Sequence, residues 1–254
     1  MAIEVFNRYE DKYRLDINTF NKVLKVMDAH MDIDPYCKNH SFYTISNIYY
    51  DTHDDYLIRT SLSKPVYKEK LRLRSYGVPQ AGKQVYLEIK KKVNGLVNKR
   101  RTALCLEEAY AFLESGAAPG YRDYMNRQVL NELEYFMQVH KIMPKVYIAY
   151  DRLAYFEKGN DDLRISFDMN IRTRRYDLAL EAGDYGAALI PENVWLMEIK
   201  TSRAMPIWLT DMLSGYDIRP VSFSKYGMEF KTRGRIQPVQ SSEEKKYYDG
   251  SIAV

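Results

Sequence analysis

The chain has 254 residues, with 38 Lys+Arg against 34 Asp+Glu and a formal net charge of +4. That length supports a sizeable core, and so slight a surplus excludes a protein that coats nucleic acid through bulk charge. The cysteines, Cys37 and Cys105, make no disulfide framework and fit a reducing compartment. With no apolar signal core at the N-terminus and no run as long as a membrane span, a soluble cytoplasmic protein is expected.

In chain order, a first strand is expected over residues 4–15. Asp16 or Asn18 then caps a helix over 19–30, with Phe20, Val23, Leu24 and Met27 on one face. A strand over 42–51 and a short helix over 54–63 follow, the helix stopped by Pro65. Strands over 66–76 and 83–92 flank a turn at Gly77, Pro79 and Gly82. Asn94-Gly95 signals a hairpin into a strand over 96–106. Helices over 107–115 and 121–140 come next, and Pro144 opens a strand to residue 157. A turn at Asn160-Asp161-Asp162 leads into a strand over 163–175. A loop with Gly183 and Gly186 precedes a strand over 194–201. Helices over 206–214 and 222–231 close the domain, taken as residues 1–236. Residues 237–254 read as a polar, disordered tail. About eight strands with interspersed helices, no βαβ alternation and 23 tyrosines predict one α+β domain around a large antiparallel sheet.

The strands carry a charge alternation. Lys68, Lys70, Arg72 and Arg74 share one parity; so do Glu88, Lys90 and Lys92, Arg8, Glu10, Lys12 and Arg14, and Glu198 and Lys200. Side chains two apart on a strand point to one face. Taken singly, such a face is a solvated one. Here it is mostly Arg and Lys, whereas a passive surface mixes signs. The helices need the apolar face to lie on. If the sheet closes into a barrel with helices outside, the basic face becomes its lumen, a site for anions and metal ions.

Gly77-Val-Pro-Gln-Ala-Gly82-Lys83 approaches a phosphate-binding loop, but Gln84 stands where Ser or Thr should hold magnesium, and a strand follows where a helix should. The histidines, His30, His40, His53 and His140, show no metal spacing. Glu198, in Trp195-Leu-Met-Glu-Ile-Lys200, is the sharpest acidic candidate, either a wet Glu–Lys pair or a carboxylate for a hard divalent cation. Glu10 and Glu88 have similar settings.

Several segments together resemble the VTC domain, the polyphosphate polymerase module of the triphosphate tunnel metalloenzymes, related to the CYTH-like proteins. They are Arg8-Tyr-Glu-Asp-Lys-Tyr13, Ile48-Tyr-Tyr-Asp-Thr52, Lys70-Leu-Arg-Leu-Arg74, Glu88-Ile-Lys-Lys-Lys92, Ala149-Tyr-Asp-Arg152, Leu163-Arg-Ile-Ser-Phe-Asp168, Met197-Glu-Ile-Lys200 and Ser222-Phe-Ser-Lys-Tyr226. The resemblance implies an eight-stranded antiparallel β-barrel, a tunnel with helices outside. It implies a phosphotransferase that passes the terminal phosphate of ATP to inorganic polyphosphate with Mn2+ or Mg2+. By motif matching, Lys12, Arg72, Arg74, Lys90, Arg152, Arg164, Lys200 and Lys225 would grip phosphates. Arg72, Arg74, Lys90, Glu198 and Lys200 would serve catalysis, Glu198 holding the metal. The wider family begins Glu-x-Glu-x-Lys, but Arg8 replaces the first Glu, a departure that fits the polymerase branch. A tripolyphosphatase or nucleoside triphosphatase, or an idle polyphosphate-binding module, are the alternatives. ATP and polyphosphate are the expected partners, nucleic acid is not, and a membrane partner is compatible with the sequence.

Overall fold

The structure, a computed structural model, describes residues 9–94 and 96–233, with the side chains of 38–40 and 161 left aside. Arg8, the expected start of the first strand at residue 4, and the tail from 237 lie outside the described residues.

The strands are β1 (Tyr9–Asp16), β2 (Met31–Ile33), β3 (Tyr43–Thr52), β4 (Tyr67–Tyr76), β5 (Gln84–Val93), β6 (Leu96–Cys105), β7 (Ile142–Glu157), β8 (Asn160–Arg174), β9 (Ala187–Ala188) and β10 (Val194–Thr201). The helices are α1 (Ile17–Met27), α2 (Tyr56–Leu62), α3 (Leu106–Ser115), α4 (Arg127–Val139), α5 (Ile207–Gly215) and α6 (Lys225–Thr232). Local chemistry sets many of these ends. Asp16 caps α1 by accepting from the Thr19 N–H at 2.8 Å, and Asn126 caps α4 by accepting from the Val129 N–H at 3.0 Å. Asn94 takes φ 47°, as a two-residue hairpin turn requires. β7 begins ahead of Pro144, because a register shift at Tyr49/Tyr50 of β3 accommodates the proline. β2, β9 and a 3-10 turn over Pro35–His40 are too short to show a period in the sequence.

All strands join one antiparallel sheet, ordered β1-β10-β8-β7-β3-β4-β5-β6 along its main path. One face is apolar and carries two cores. Leu71, Leu73, Leu87 and Ile89 pack under Phe112 of α3 and Leu130 and Leu133 of α4. Tyr13, Phe167, Met197 and Ile199 pack under Phe20 and Val23 of α1 and Leu209 of α5. Each such side chain contributes about 1.5–3 kcal/mol when fully buried. A third cluster lies on the opposite, charged face, where Tyr226 of α6 meets Tyr49, Ile148, Tyr150 and Leu196. So α6, joined in that cluster by Ile58 and Leu62 of α2, departs from the expectation of helices packed outside.

The expected closed barrel is corrected: no ladder joins β1 to β6 among the described residues. The free edge of β1 is taken instead by the segment leading into α6. The Val221 N–H donates to the Lys12 carbonyl at 2.7 Å, and an isolated bridge pairs Tyr13 with Pro220. Pro220 has no N–H to extend that ladder. Side chains span the remaining gap. Lys90 of β5 reaches Glu10 of β1 at 3.2 Å, although five strands separate them in the sheet order. The sheet is therefore strongly curled, with its charged face inward.

Candidate functional site

Parity delivers the interior. Antiparallel pairing sets Lys12 opposite Glu198, Lys200 opposite Arg164 and Arg152 opposite Asp168. It also sets Arg72 opposite Glu88 and Lys70 opposite Lys90. On these strands the intervening residues face the outer cores.

Glu198 is one centre. Lys200 Nζ lies 2.8 Å from its carboxylate, Lys225 Nζ 3.3 Å, Arg152 Nη2 3.4 Å and Lys12 Nζ 3.5 Å. Burial pushes the carboxyl up, but Lys200, Lys225, Lys12 and Arg152 outweigh it and hold it well below the usual range. Asp168, fully buried, accepts a fork from Arg152 at 2.6 and 2.8 Å and a further bond from Lys225. Lys225 and Arg152 also lie over the Tyr150 ring, 4.2 and 5.2 Å from its centroid. Lys225 reaches the interior because Ser224 caps α6 there, accepting from the Gly227 N–H at 3.1 Å.

Glu88 is the second centre. Arg72 and Lys99 each lie 2.7 Å from it, and Arg74 lies at 3.8 Å. Burial raises the Glu88 carboxyl, and Arg74, Lys99 and Arg72 reverse this and hold it well below its ordinary value. Arg74 also donates to Asn47 at 2.8 Å and to the Tyr150 hydroxyl at 3.1 Å. Glu10 bridges the seam between Lys12 at 3.1 Å and Lys90 at 3.2 Å. Burial raises its carboxyl, while Lys90, Lys12 and Lys200 pull it far down.

The structure thus gathers Lys12, Arg72, Arg74, Lys90, Arg152, Glu198, Lys200 and Lys225 on one concave face. Arg164 shares that face beside Lys200, but is held by Asp34 at 3.0 Å and stands over Phe156. Sequence reasoning missed the roles of Asp168, Lys70 and Lys99. Lys70 donates to Ser224 Oγ at 2.9 Å. Burial, then Lys90, Lys12, Lys68 and Arg72, lower its ammonium to about 7. Burial also lowers Lys99; Glu88 opposes this while Arg74 and Arg72 add to it, leaving it at about 7. The shared parity of Lys70 with Arg72 was the available signal for the first.

Cations on this face outnumber the carboxylates Glu10, Glu88, Asp168 and Glu198, and each carboxylate is already clamped. The arrangement suits a chain of negative charges that exchanges places with those clamps. Among the described residues no three His, Cys, Asp or Glu side chains group as metal ligands. Glu198 and Glu10, which share Lys12, fit a hard divalent ion only if phosphate oxygens and water complete its shell, as is usual for magnesium-type sites.

Residues 7–232 match the family model of the VTC domain. No curated protein matches. A candidate adenylate cyclase from Bacillus halodurans superposes with a TM-score of 0.54 at 14% identity, covering 87% of this chain and 96% of that one. A candidate adenylyl cyclase from Hippeastrum with a dominant triphosphatase activity gives a TM-score of 0.54 at 16% identity, covering 93% and 98%. At these identities the likeness shows a shared fold alone.

Proposed function

The chain belongs to the VTC domain family, and from that membership and the site's charge arrangement we propose that it is a polyphosphate polymerase. A terminal phosphate oxygen of the growing chain would attack the γ-phosphorus of ATP. The bond from that phosphorus to the β–γ bridging oxygen breaks, and ADP leaves. The observation that carries this reading is the curled, cation-dominated face on which Glu10, Glu88, Asp168 and Glu198 are each clamped by Lys or Arg.

Phosphoryl transfer asks for positioning and charge neutralisation more than for covalent chemistry. Arg72, Arg74, Lys90, Lys12, Arg152, Arg164, Lys200 and Lys225 would grip the triphosphate and the acceptor chain. Entering phosphate oxygens would take over the ammonium groups that now hold Glu198, leaving its carboxylate for a divalent ion. When bound, that ion supplies charge neutralisation on the transferring group. Clamping also bears on the choice between transfer and hydrolysis. Glu10, Glu88 and Glu198 are all held below the ordinary carboxylate range, which makes them poor proton acceptors. A chain-terminal phosphate is already ionised at neutral pH and needs no base, whereas water does.

The test is incubation with ATP and manganese, with products resolved on a gel stained for polyphosphate. A ladder of long chains with matching ADP is expected. Free phosphate without chains would instead assign a triphosphatase on the same fold. Binding without turnover would assign a polyphosphate-binding module. No helix among the described residues is long and apolar enough to cross a membrane.

A further inference from the structure

The interior cations are balanced, at least in part, by four carboxylates, Glu10, Glu88, Asp168 and Glu198. Outward of Lys70 that balance stops. Lys68 and Lys92 face each other across β4 and β5, one rung beyond the Lys70–Lys90 pair and on the same parity. A rung is two residues, about 7 Å of strand. Lys68 Nζ donates to the Ser61 carbonyl at 3.2 Å. Lys64, exposed just ahead of β4, adds a third charge close enough, with Lys92 and after burial itself, to lower the Lys68 ammonium. No carboxylate among the described residues pairs with Lys64, Lys68 or Lys92.

The opposite face of the same strands behaves otherwise. There Lys91 sits between Glu69 at 3.5 Å and Glu132 at 2.7 Å, and Arg100 pairs with Glu132 at 3.0 Å. Charge on that face is matched residue by residue. The uncompensated run is thus confined to the parity that leads into the site.

We propose that Lys68, Lys92 and Lys64 form an external track that holds an inorganic phosphate chain where it extends beyond the interior. The consequence is a preference for long polyphosphate over triphosphate. This rests on the polymerase reading of the interior and adds to it the place where the chain runs outside. A phosphate chain fits better than a nucleic acid, because the same-parity side chains of these rungs are all lysines. They offer charge at each step but no ring on which a base would stack.

The experiment measures binding of tripolyphosphate and of long-chain polyphosphate over a salt series, for wild type and for Lys68→Ala/Lys92→Ala. Wild type is expected to bind both ligands, and the variant to keep its tripolyphosphate affinity, which also shows that it is folded. Its long-chain affinity should fall several-fold, with a log–log salt slope shallower by about 1.4, at ~0.7 counterions per lost contact on a single strand. An unaltered slope and affinity for the long chain would overturn the track while leaving the polymerase reading intact. Equal loss for tripolyphosphate would overturn it too, by placing these lysines in the interior site. Wild type that binds neither ligand would remove the polymerase reading, and the track with it. A single-stranded oligodeoxynucleotide that competes as strongly as polyphosphate would overturn the choice of ligand.

Discussion

Replacing Glu198 by Gln separates what the carboxylate does for the fold from what it does for the reaction. Its oxygens have four cationic neighbours, Lys200, Lys225, Arg152 and Lys12, between 2.8 and 3.5 Å. At an effective dielectric of about 20, each contact has a gross attraction of about 5 kcal/mol. Desolvation of the buried groups offsets most of that. Stripping one member from such a cluster costs about 3–5 kcal/mol, chiefly because the partners stay buried and unmatched. For a chain of this size the melting temperature of the free variant should fall by roughly 10 °C. A polyanion supplies the missing charge, so tripolyphosphate should bind Glu198→Gln at least as well as wild type. Its stabilisation of the variant should be correspondingly larger. Turnover should nonetheless fall by about 100-fold or more, since a stabiliser of the transferring group is worth about 3 kcal/mol. Thermal melts with and without tripolyphosphate, paired with ADP release from ATP and manganese, read both quantities. Unchanged turnover would refute the metal assignment. Tripolyphosphate affinity lost in step with turnover would refute the view that the carboxylate competes with phosphate.

Lys70 and Lys99 both sit at about 7 in the folded protein, below the unfolded value of about 10.4. The unfolded chain therefore binds more protons between those limits, and these two groups cost stability that is regained as pH rises above 7. A bound polyanion should recharge them, so tripolyphosphate binding at pH 8 should take up protons, and affinity should fall as pH climbs past 7. Calorimetry in two buffers of different ionisation heat would detect the uptake, Lys70→Met should reduce it, and no uptake in wild type would refute the assignment. Asp168→Asn should cost about 3–5 kcal/mol in urea unfolding, because Arg152 and Lys225 lose their buried partner. Asp51 accepts from the Leu57 and Ile58 N–H groups at 2.8 and 2.9 Å and from the Tyr226 hydroxyl at 3.0 Å. Asp51→Ala should therefore cost about 3 kcal/mol, and Tyr226→Phe about 1 kcal/mol, with urea midpoints as the readout.

The eight long strands were legible because period two survives wherever one face meets helices and the other meets charge. Arg72 and Leu73, or Glu198 and Ile199, declare opposite faces by chemistry alone. Part of what was missed was legible in principle. A two-residue turn at Asn94-Gly95 fixes Val93 against Leu96, and the same register must then set Lys90 opposite Lys99. Lys99 could thus have been placed beside Glu88 from the hairpin signal. The role of Asp168 was hidden differently. Its parity with Arg164 puts it on the inner face, but a carboxylate there reads equally as a metal ligand or a clamp. Only the facing Arg152 and the incoming Lys225 decide that it is a clamp. The seam was beyond local reading altogether. Nothing within residues 220–224 says that they lie along β1, with Lys12 Nζ on the Phe223 carbonyl at 3.0 Å and Lys70 Nζ on Ser224 Oγ at 2.9 Å. An amphipathic helix declares that it has a sheet to lie on, not which face, and α6 takes the charged one. It can do so because Lys225 at its N-terminal end satisfies Asp168 and Glu198, while Tyr226 beside it packs on Tyr49 with ring centroids 4.9 Å apart. One turn of helix thus joins the apolar interior to the ionic one. The same turn that closes the curl also delivers the cation that a phosphate chain would have to win from Glu198.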